Sequence, residues 1–160
     1  MEHLWAPWRN QYVACPQGEA GGDVFAEIAR SSDDENNHVL ARGKSCYAVL
    51  NRYPYGTGHL MIVPYRAVAA LEDLSDDELL EIMTLLKRMK AALTAAFHPH
   101  GFNVGINLGA AAGAGIESHL HVHLVPRWRN DANFMTTTAQ TRVHPSDLAT
   151  AYAAVMKQLL

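Results

Sequence analysis

"SHLHVHLVPRW", residues 118–128, sets His119, His121 and His123 at every second position. Side chains repeat every two residues on a strand and about every 3.6 on a helix. Leu120, Val122, Leu124 and Val125 favour a strand, and Pro126 is expected to end it. On such a strand the three imidazoles share one face, about 6.6 Å apart along the chain. The chain has nine histidines, so three in this rhythm demand an explanation beyond packing.

The flanking sequence supplies neighbours for that strand. "FNVGINLG" (102–109) reads as another strand, joined to it by the small-residue loop "AAAGAG" (110–115). Gly109, Gly113 and Gly115 can take positive φ and let backbone N–H groups converge on an anion, although a plain hairpin turn accounts for them equally. Further upstream, "SCYAVLNR" predicts a strand over 45–51, "YPYGTG" (53–58) a turn and "HLMIVP" (59–64) a second strand, giving a hairpin. Ser75-Asp76-Asp77-Glu78 is a capping-box pattern. Behind it Leu79, Ile82, Met83, Leu86, Met89, Leu93, Ala96 and Phe97 recur at helical spacing, with Lys87, Arg88 and Lys90 on the other side and Pro99 and Gly101 as the stop. Residues 145–160 predict a terminal helix. Val24 to Ala29 is a short apolar piece between the polar segments "GEAGGD" and "RSSDDENN". Strands that cluster in hairpins, without alternating with helices, predict an α+β fold with an antiparallel sheet.

Bulk properties exclude several classes. At 160 residues a single domain is expected over 1–160, with its core at about 20–145. The 49% hydrophobic and 18% charged content is that of an ordinary globular protein. No apolar run approaches membrane-spanning length, and "MEHLWAPWRNQYV" lacks the order of a signal peptide. Cys15 and Cys46 are too few for a disulfide framework and suit a reducing cytoplasm. A net charge of −3 advertises no nucleic acid polymer as partner.

Three explanations of the histidine row stand side by side. One is a surface strand with incidental histidines. The second is a metal site: two histidines two apart on a strand can both ligate zinc, and a catalytic zinc takes three protein ligands. Only Glu117 lies nearby as a carboxylate to orient the rings. The third is nucleophilic catalysis, in which a neutral imidazole attacks phosphorus while neighbours on the same face fix its tautomer and protonate the leaving group.

"HLHVHLVP" (119–126) resembles the signature of the histidine-triad (HIT) family, alternating histidines followed by apolar residues. "LNRYPYGTGHLMIVPYR" (50–66) is similar to that family's upstream segment. "LWAPWR" (4–9) and "PRWRNDANFM" (126–135) resemble a bacterial branch related to diadenosine tetraphosphate hydrolases and phosphorylases. The resemblance spans residues 4 to about 145. It implies a HIT-like antiparallel sheet flanked by helices, and a homodimer. It also implies His121 as the nucleophile that takes the nucleotidyl group, flanked by His119 and His123 toward phosphate oxygens and the leaving group, with His59 as a supporting histidine. Asn51 matches a residue contacting the ribose hydroxyls and Asn107 an amide contacting the α-phosphate, though either asparagine could instead serve a turn or a strand end. Gly113 and Gly115 belong to the substrate loop. Trp128 is a candidate for base stacking or the leaving-group pocket, and equally for a core or interface; Arg127 and Arg129 are candidates for distal phosphates. Val49, Phe25 and Ile28 are candidates for an apolar base pocket.

Two departures from the family pattern matter. Much of the family has a small hydroxyl residue shortly before the first histidine, where this chain has Gly115; Ser118 is adjacent but points to the other strand face. Zinc-binding relatives carry Cys-x-x-Cys near the N-terminus and a histidine after the second strand. Here those positions read Cys15-Pro16-Gln17-Gly18 and Ala67, so the four ligands of a tetrahedral site are not all present and no metal or other cofactor is expected.

The expectation is thus a cytoplasmic HIT hydrolase or nucleotidyltransferase acting on a nucleoside 5′-phosphate joined to a leaving group, dinucleoside polyphosphates first. Water is placed ahead of phosphate as acceptor because the loop hydroxyl is missing. The alternatives are a nucleoside phosphoramidate hydrolase and a nucleotide-binding module with little turnover.

Overall fold

The computed structural model describes residues 23–131 and 146–160. Its elements in chain order are α1 (Val24–Arg30), β1 (Val39–Arg42), β2 (Cys46–Leu50), β3 (Leu60–Pro64), α2 (Asp76–Phe97), β4 (Gly101–Ile106), β5 (Val122–Arg127) and α3 (Leu148–Met156). The strands form one sheet in the order β1-β2-β3-β5-β4, each neighbouring pair antiparallel. This is the α+β architecture that the hairpin clusters imply. β2 and β3 pair from Cys46↔Pro64 to Leu50↔Leu60, and β4 and β5 from Gly101↔Arg127 to Ile106↔Val122.

Pro126 does not end the histidine strand. It sits inside β5 opposite Phe102 of β4. On the other side β3 pairs with β5 only from Ile62↔Val122 to Leu60↔Leu124, so Pro126 has no β3 residue opposite it. A residue without an N–H is tolerated where one neighbour strand has already stopped.

Alternation along the strands sorts the side chains into two layers. Cys46, Ala48, Leu50, Leu60, Ile62, Val122 and Leu124 pack with α2 and α3 in the larger core. Tyr47, Val49, Met61 and Val63 face the other way, toward Phe25 of α1. His123 stands opposite Met61 in the β3–β5 register and therefore shares that second face. The site is built there.

α2 begins as its capping box requires. Ser75 Oγ accepts from the Glu78 N–H and the Glu78 carboxylate accepts from the Ser75 N–H. It ends at His98, left-handed with φ 48°, because the residue before Pro99 is disfavoured in the helical region. The buried stripe is Ile82, Leu85, Leu86, Met89, Ala92 and Leu93, and the expected Leu79 and Met83 are exposed. Two carboxylates turn the helix this way. Glu78 also binds Arg66 at 2.8 Å, and Glu81 accepts from the backbone N–H groups of Lys44, Ser45 and Cys46 at the β1–β2 turn.

α1 and β1 emerge from a stretch in which the sequence predicts only an apolar piece and polar surface. Asp23 caps α1 by accepting from the Phe25 and Ala26 N–H groups. α3 is capped by Asp147 and falls inside the helix predicted over 145–160, whose first residue lies outside the described ones. Among the described residues no helix is long and apolar enough to cross a membrane.

Candidate active site

A cavity of about 770 Å³ opens on the α1 face of the sheet. Phe25, Ile28, Val49, Met61 and Ile116 form its apolar wall, and Asn51, Asn107, Gly113, Gly115, His121 and His123 line it too. Every one of these except Met61 and Ile116 is a residue the sequence singles out. Gly109 and Gly113 take positive φ (78° and 87°), as a loop folding back on itself requires; Gly115 does not. Asn51 and Asn107 have structural duties as well. Asn51 Oδ1 accepts from the Tyr53 N–H at 2.9 Å, and Asn107 Nδ2 donates to the Gly113 carbonyl at 3.4 Å.

Hydrogen-bond partners assign the tautomers of three histidines. Histidine Nδ1 of residue 59 receives the Tyr55 backbone N–H at 3.0 Å, with Asn51 Nδ2 at 3.4 Å, so this nitrogen is an acceptor. The His59 proton therefore sits on Nε2 and is donated to His123 Nδ1, 3.0 Å away. His123 in turn carries its own proton on Nε2. His121 donates Nδ1–H to the His119 carbonyl at 2.9 Å, which leaves the lone pair on Nε2. The His121 and His123 rings meet edge to face, 4.8 Å between centroids. Burial pushes the His121 imidazole below its ordinary value; the bond to the His119 carbonyl opposes this and charge on His119 adds to it. The ring is thus biased toward the neutral form that a nucleophile needs.

His119 is not placed as the resemblance implies. It is 0% exposed and does not line the cavity. Its Nδ1 contacts Asp23 Oδ2 at 2.6 Å and its Nε2 contacts the Pro64 carbonyl at 2.8 Å. Both ring nitrogens are occupied by protein, so the ring has no polar atom left for a phosphate oxygen. It precedes β5, where the chain has not yet joined the ladder.

Arg127 and Trp128 also stand apart from the cavity. Arg127 lies four residues beyond His123 on β5, about 13 Å along a strand. Its guanidinium is taken by Asp131 and by Asn103 Oδ1. Trp128 donates Nε1–H to the Phe97 carbonyl at the end of α2. The Arg129 side chain is exposed, and its residue does not line the cavity.

Other residues come to the site without having been singled out. Arg52 lines the cavity, exposed, and among the described residues has no ion pair. Its place next to Asn51 was the available signal. Tyr55 supplies the N–H that sets the His59 tautomer and stacks on that ring at 4.7 Å. Asn36, Asn37 and His38 add further polar side chains to the cavity lining. Among the described residues no three His, Cys, Asp or Glu side chains group so as to hold a metal ion. Ala67 is exposed, and Cys15 and Gly18 lie outside the described residues.

Residues 33–130 match the family of the HIT domain. The chain belongs to the HIT family. Within it, the chain is 47% identical to the AP-4-A phosphorylase of Mycobacterium tuberculosis over 91% of its own length and 77% of that protein. It is 34% identical to the asymmetrical bis(5′-nucleosyl)-tetraphosphatase of Schizosaccharomyces pombe, over 59% of this chain and 52% of that one. Among solved structures, a Zn-bound histidine triad family protein from Mycobacterium smegmatis superposes with a TM-score of 0.69 at 25% identity, covering 85% of this chain and 91% of that chain. A HIT-like protein from Bartonella henselae, 19% identical with a TM-score of 0.68 over 86% of this chain and 96% of that chain, shares the fold. These HIT proteins carry the same sheet on which the histidines of this chain are mounted.

Proposed function

We propose that this HIT protein cleaves dinucleoside polyphosphates by passing a nucleoside monophosphate through His121. The observation that carries this is the His119 carbonyl, which holds the His121 proton on Nδ1 and leaves Nε2 as the nucleophile. Nε2 attacks the α-phosphorus; a P–N bond forms and the P–O bond to the departing polyphosphate breaks. His123, whose proton is held on Nε2 by the His59 relay, gives that proton to the leaving oxygen. The base lies against Phe25, Ile28 and Val49, the ribose against Asn51, and the phosphate against Asn107 and the 113–115 loop.

Inorganic phosphate is the proposed second acceptor: one of its oxygens attacks phosphorus, the P–N bond to His121 breaks, the phosphate's proton passes to His123 and a nucleoside diphosphate leaves. This reverses the order that the missing loop hydroxyl suggested. The support is the extent of likeness to a relative named a phosphorylase, which exceeds that to the relative named a tetraphosphatase. Incubating the protein with diadenosine tetraphosphate and quenching in base should trap one adenylyl group on His121, identified by mass spectrometry. An unmodified His121 during demonstrable turnover defeats the mechanism.

We further propose a homodimer formed through β4. This strand is the sheet's edge, and its exposed Val104 lines one apolar groove with the exposed Leu79 and Met83 of α2, a surface a second copy could cover. Light scattering on the purified chain tests it. A cytoplasmic location, for which the free buried Cys46 thiol is the support, is tested by fractionation.

A further inference from the structure

We propose that Asn37 is a specificity-determining residue: its side-chain oxygen accepts from the 6-amino group of an adenine held in the cavity and so selects that base over a 6-oxopurine. The sheet sets the scale. His123, Met61, Val49 and Val39 stand opposite one another in turn across β5, β3, β2 and β1. At about 4.8 Å between strands, this row runs about 14 Å from His123 to the start of β1. His123, Met61 and Val49 all line the cavity, and Asn37 lies two residues before β1. α1 gives a second measure. Phe25 meets the His121 ring at 4.9 Å between centroids. Ser31 follows six residues later, about 9 Å along a helix axis, with Ile28 of the cavity wall between them. The two measures converge, because Asn37 Nδ2 donates to Ser31 Oγ at 3.0 Å. Ser31 and Asn37 both line the cavity. With phosphorus at His121, as the proposed function has it, a nucleotide laid over Met61 and Val49 brings the far edge of its base to this pair.

The amide is fixed in place and in sense. Asn37 Nδ2 also donates to the Asp33 carbonyl at 2.7 Å. A carbonyl only accepts, so this end of the side chain is the N–H₂ and the other is the oxygen. Among the described residues no donor meets that oxygen. Ser31 Oγ accepts from Asn37 and from the Asp33 N–H at 3.1 Å, which leaves its own hydrogen to donate. The half-buried Asn37 therefore offers one acceptor beside one donor. Its turn is held from both sides. The Asn37 N–H bonds the Asp33 carbonyl and the Val39 N–H the Asp34 carbonyl. Arg42 ties the turn to the end of α1, binding the Asp34 carboxylate together with the carbonyls of Ile28, Ala29 and Ser31. An acceptor ordered in advance costs little further ordering when a ligand arrives. Adenine shows a 6-amino donor next to the N7 acceptor, whereas guanine shows acceptors at both places. A 6-oxopurine in the same pose sets its carbonyl oxygen against the Asn37 oxygen with no hydrogen between them, and a polar group left unpaired in a site weakens binding.

Calorimetric titration of the full chain with adenosine, purine-riboside and inosine 5′-monophosphates tests this without need of turnover. Purine-riboside monophosphate, which lacks the 6-amino group, should bind about five- to tenfold more weakly than adenosine monophosphate, the net value of one hydrogen bond. Inosine monophosphate should bind more weakly still. In Asn37→Ala the three Kd values should converge to within about twofold, since the oxygen that tells them apart is gone. If Asn37 served only the turn, all three ligands would weaken together and their ratios would stay. Equal binding of the three by wild type overturns the selection. Unchanged ratios in Asn37→Ala overturn the role of Asn37. Should that variant fail to fold, NMR of wild type with bound adenosine monophosphate decides: a nuclear Overhauser contact between the 6-amino protons and the Asn37 amide protons is expected, and its absence overturns the assignment. Adenine selection that depends on Asn37, in a protein that takes no adenylyl group on His121, would uphold the selection and sink the proposed function alone. No binding of any of the three would sink both.

Discussion

His59 Nε2 lies 3.0 Å from His123 Nδ1, joining the residue just before β3 to the second residue of β5 across 64 positions of sequence. The direction of this bond is dictated from outside the pair. The Tyr55 N–H occupies His59 Nδ1, so His59 can only donate to His123. Replacing His59 with Phe keeps ring volume and removes the donor. We expect kcat to fall about 100-fold, in the range of general acid–base contributions, with KM little changed. An equal loss in KM with kcat intact would show that His59 serves binding.

The acid limb of turnover should lie below the ordinary histidine value of about 6.5. Burial lowers the His121 imidazole, so the neutral, attacking form persists to lower pH than in a free ring, and activity is lost only as pH falls through the lowered value. A kcat/KM profile from pH 4.5 to 8 reads it directly. A limb centred above 6.5 contradicts the sign.

Gly58 holds His59 in place through a conformation that other residues resist. Its φ is +72°, and a Cβ there would stand 2.9 Å from Leu93 Cδ2 and 3.1 Å from Phe97 Cε2. Gly58→Ala meets both backbone strain and a packed α2, so we expect a loss of about 1–3 kcal/mol in chemical denaturation. A midpoint shift of under about 0.5 kcal/mol would mean that the loop relaxes freely.

These cases show what could be seen in the chain beforehand. The strand rhythm of 119–123, the turn at 53–58 and the box at Ser75 are local signals, and each produced its element. α1 is only 7 residues long and β1 only 4, too short for a periodicity to register. Leu79 and Met83 fit the apolar spacing yet lie exposed, because spacing alone cannot fix helix rotation, which Glu78 and Glu81 set through bonds to distant segments. Asp23 was invisible as a site residue, since it meets His119 over 96 positions. Arg127 was drawn in by its nearness in sequence to His123, a nearness that the extended strand converts into distance.

Arg127 and Arg52 should accordingly trade the roles that sequence proximity assigns. Arg127 is committed to Asp131 and Asn103, whereas Arg52 lines the cavity. Arg127→Gln should leave kcat/KM for diadenosine tetraphosphate within about twofold of wild type. Arg52→Gln should lower it about tenfold, the loss of one charge-assisted hydrogen bond at a wet site. The reverse ranking would place the distal phosphates along β5 and away from Asn51.

In the proposed mechanism the leaving polyphosphate departs after the first transfer and the cavity holds an adenylyl group on His121 Nε2. An acceptor must then bring an oxygen to phosphorus while a second anion is held close by. Water needs no such holding, and phosphate does. Gly113, at positive φ at the end of the 109–113 turn, and the exposed Arg52 both line the cavity, and we expect them to hold it. The glycine loop has no side-chain hydroxyl at Gly115 to occupy that space, which leaves room for the acceptor. With diadenosine tetraphosphate and millimolar phosphate, the products should be adenosine diphosphate and adenosine triphosphate. Removing phosphate should slow consumption of the substrate by at least about tenfold, because the adenylyl group then waits for water. Adenosine monophosphate and triphosphate at the same rate with and without phosphate would make water the acceptor and return the site to a hydrolase.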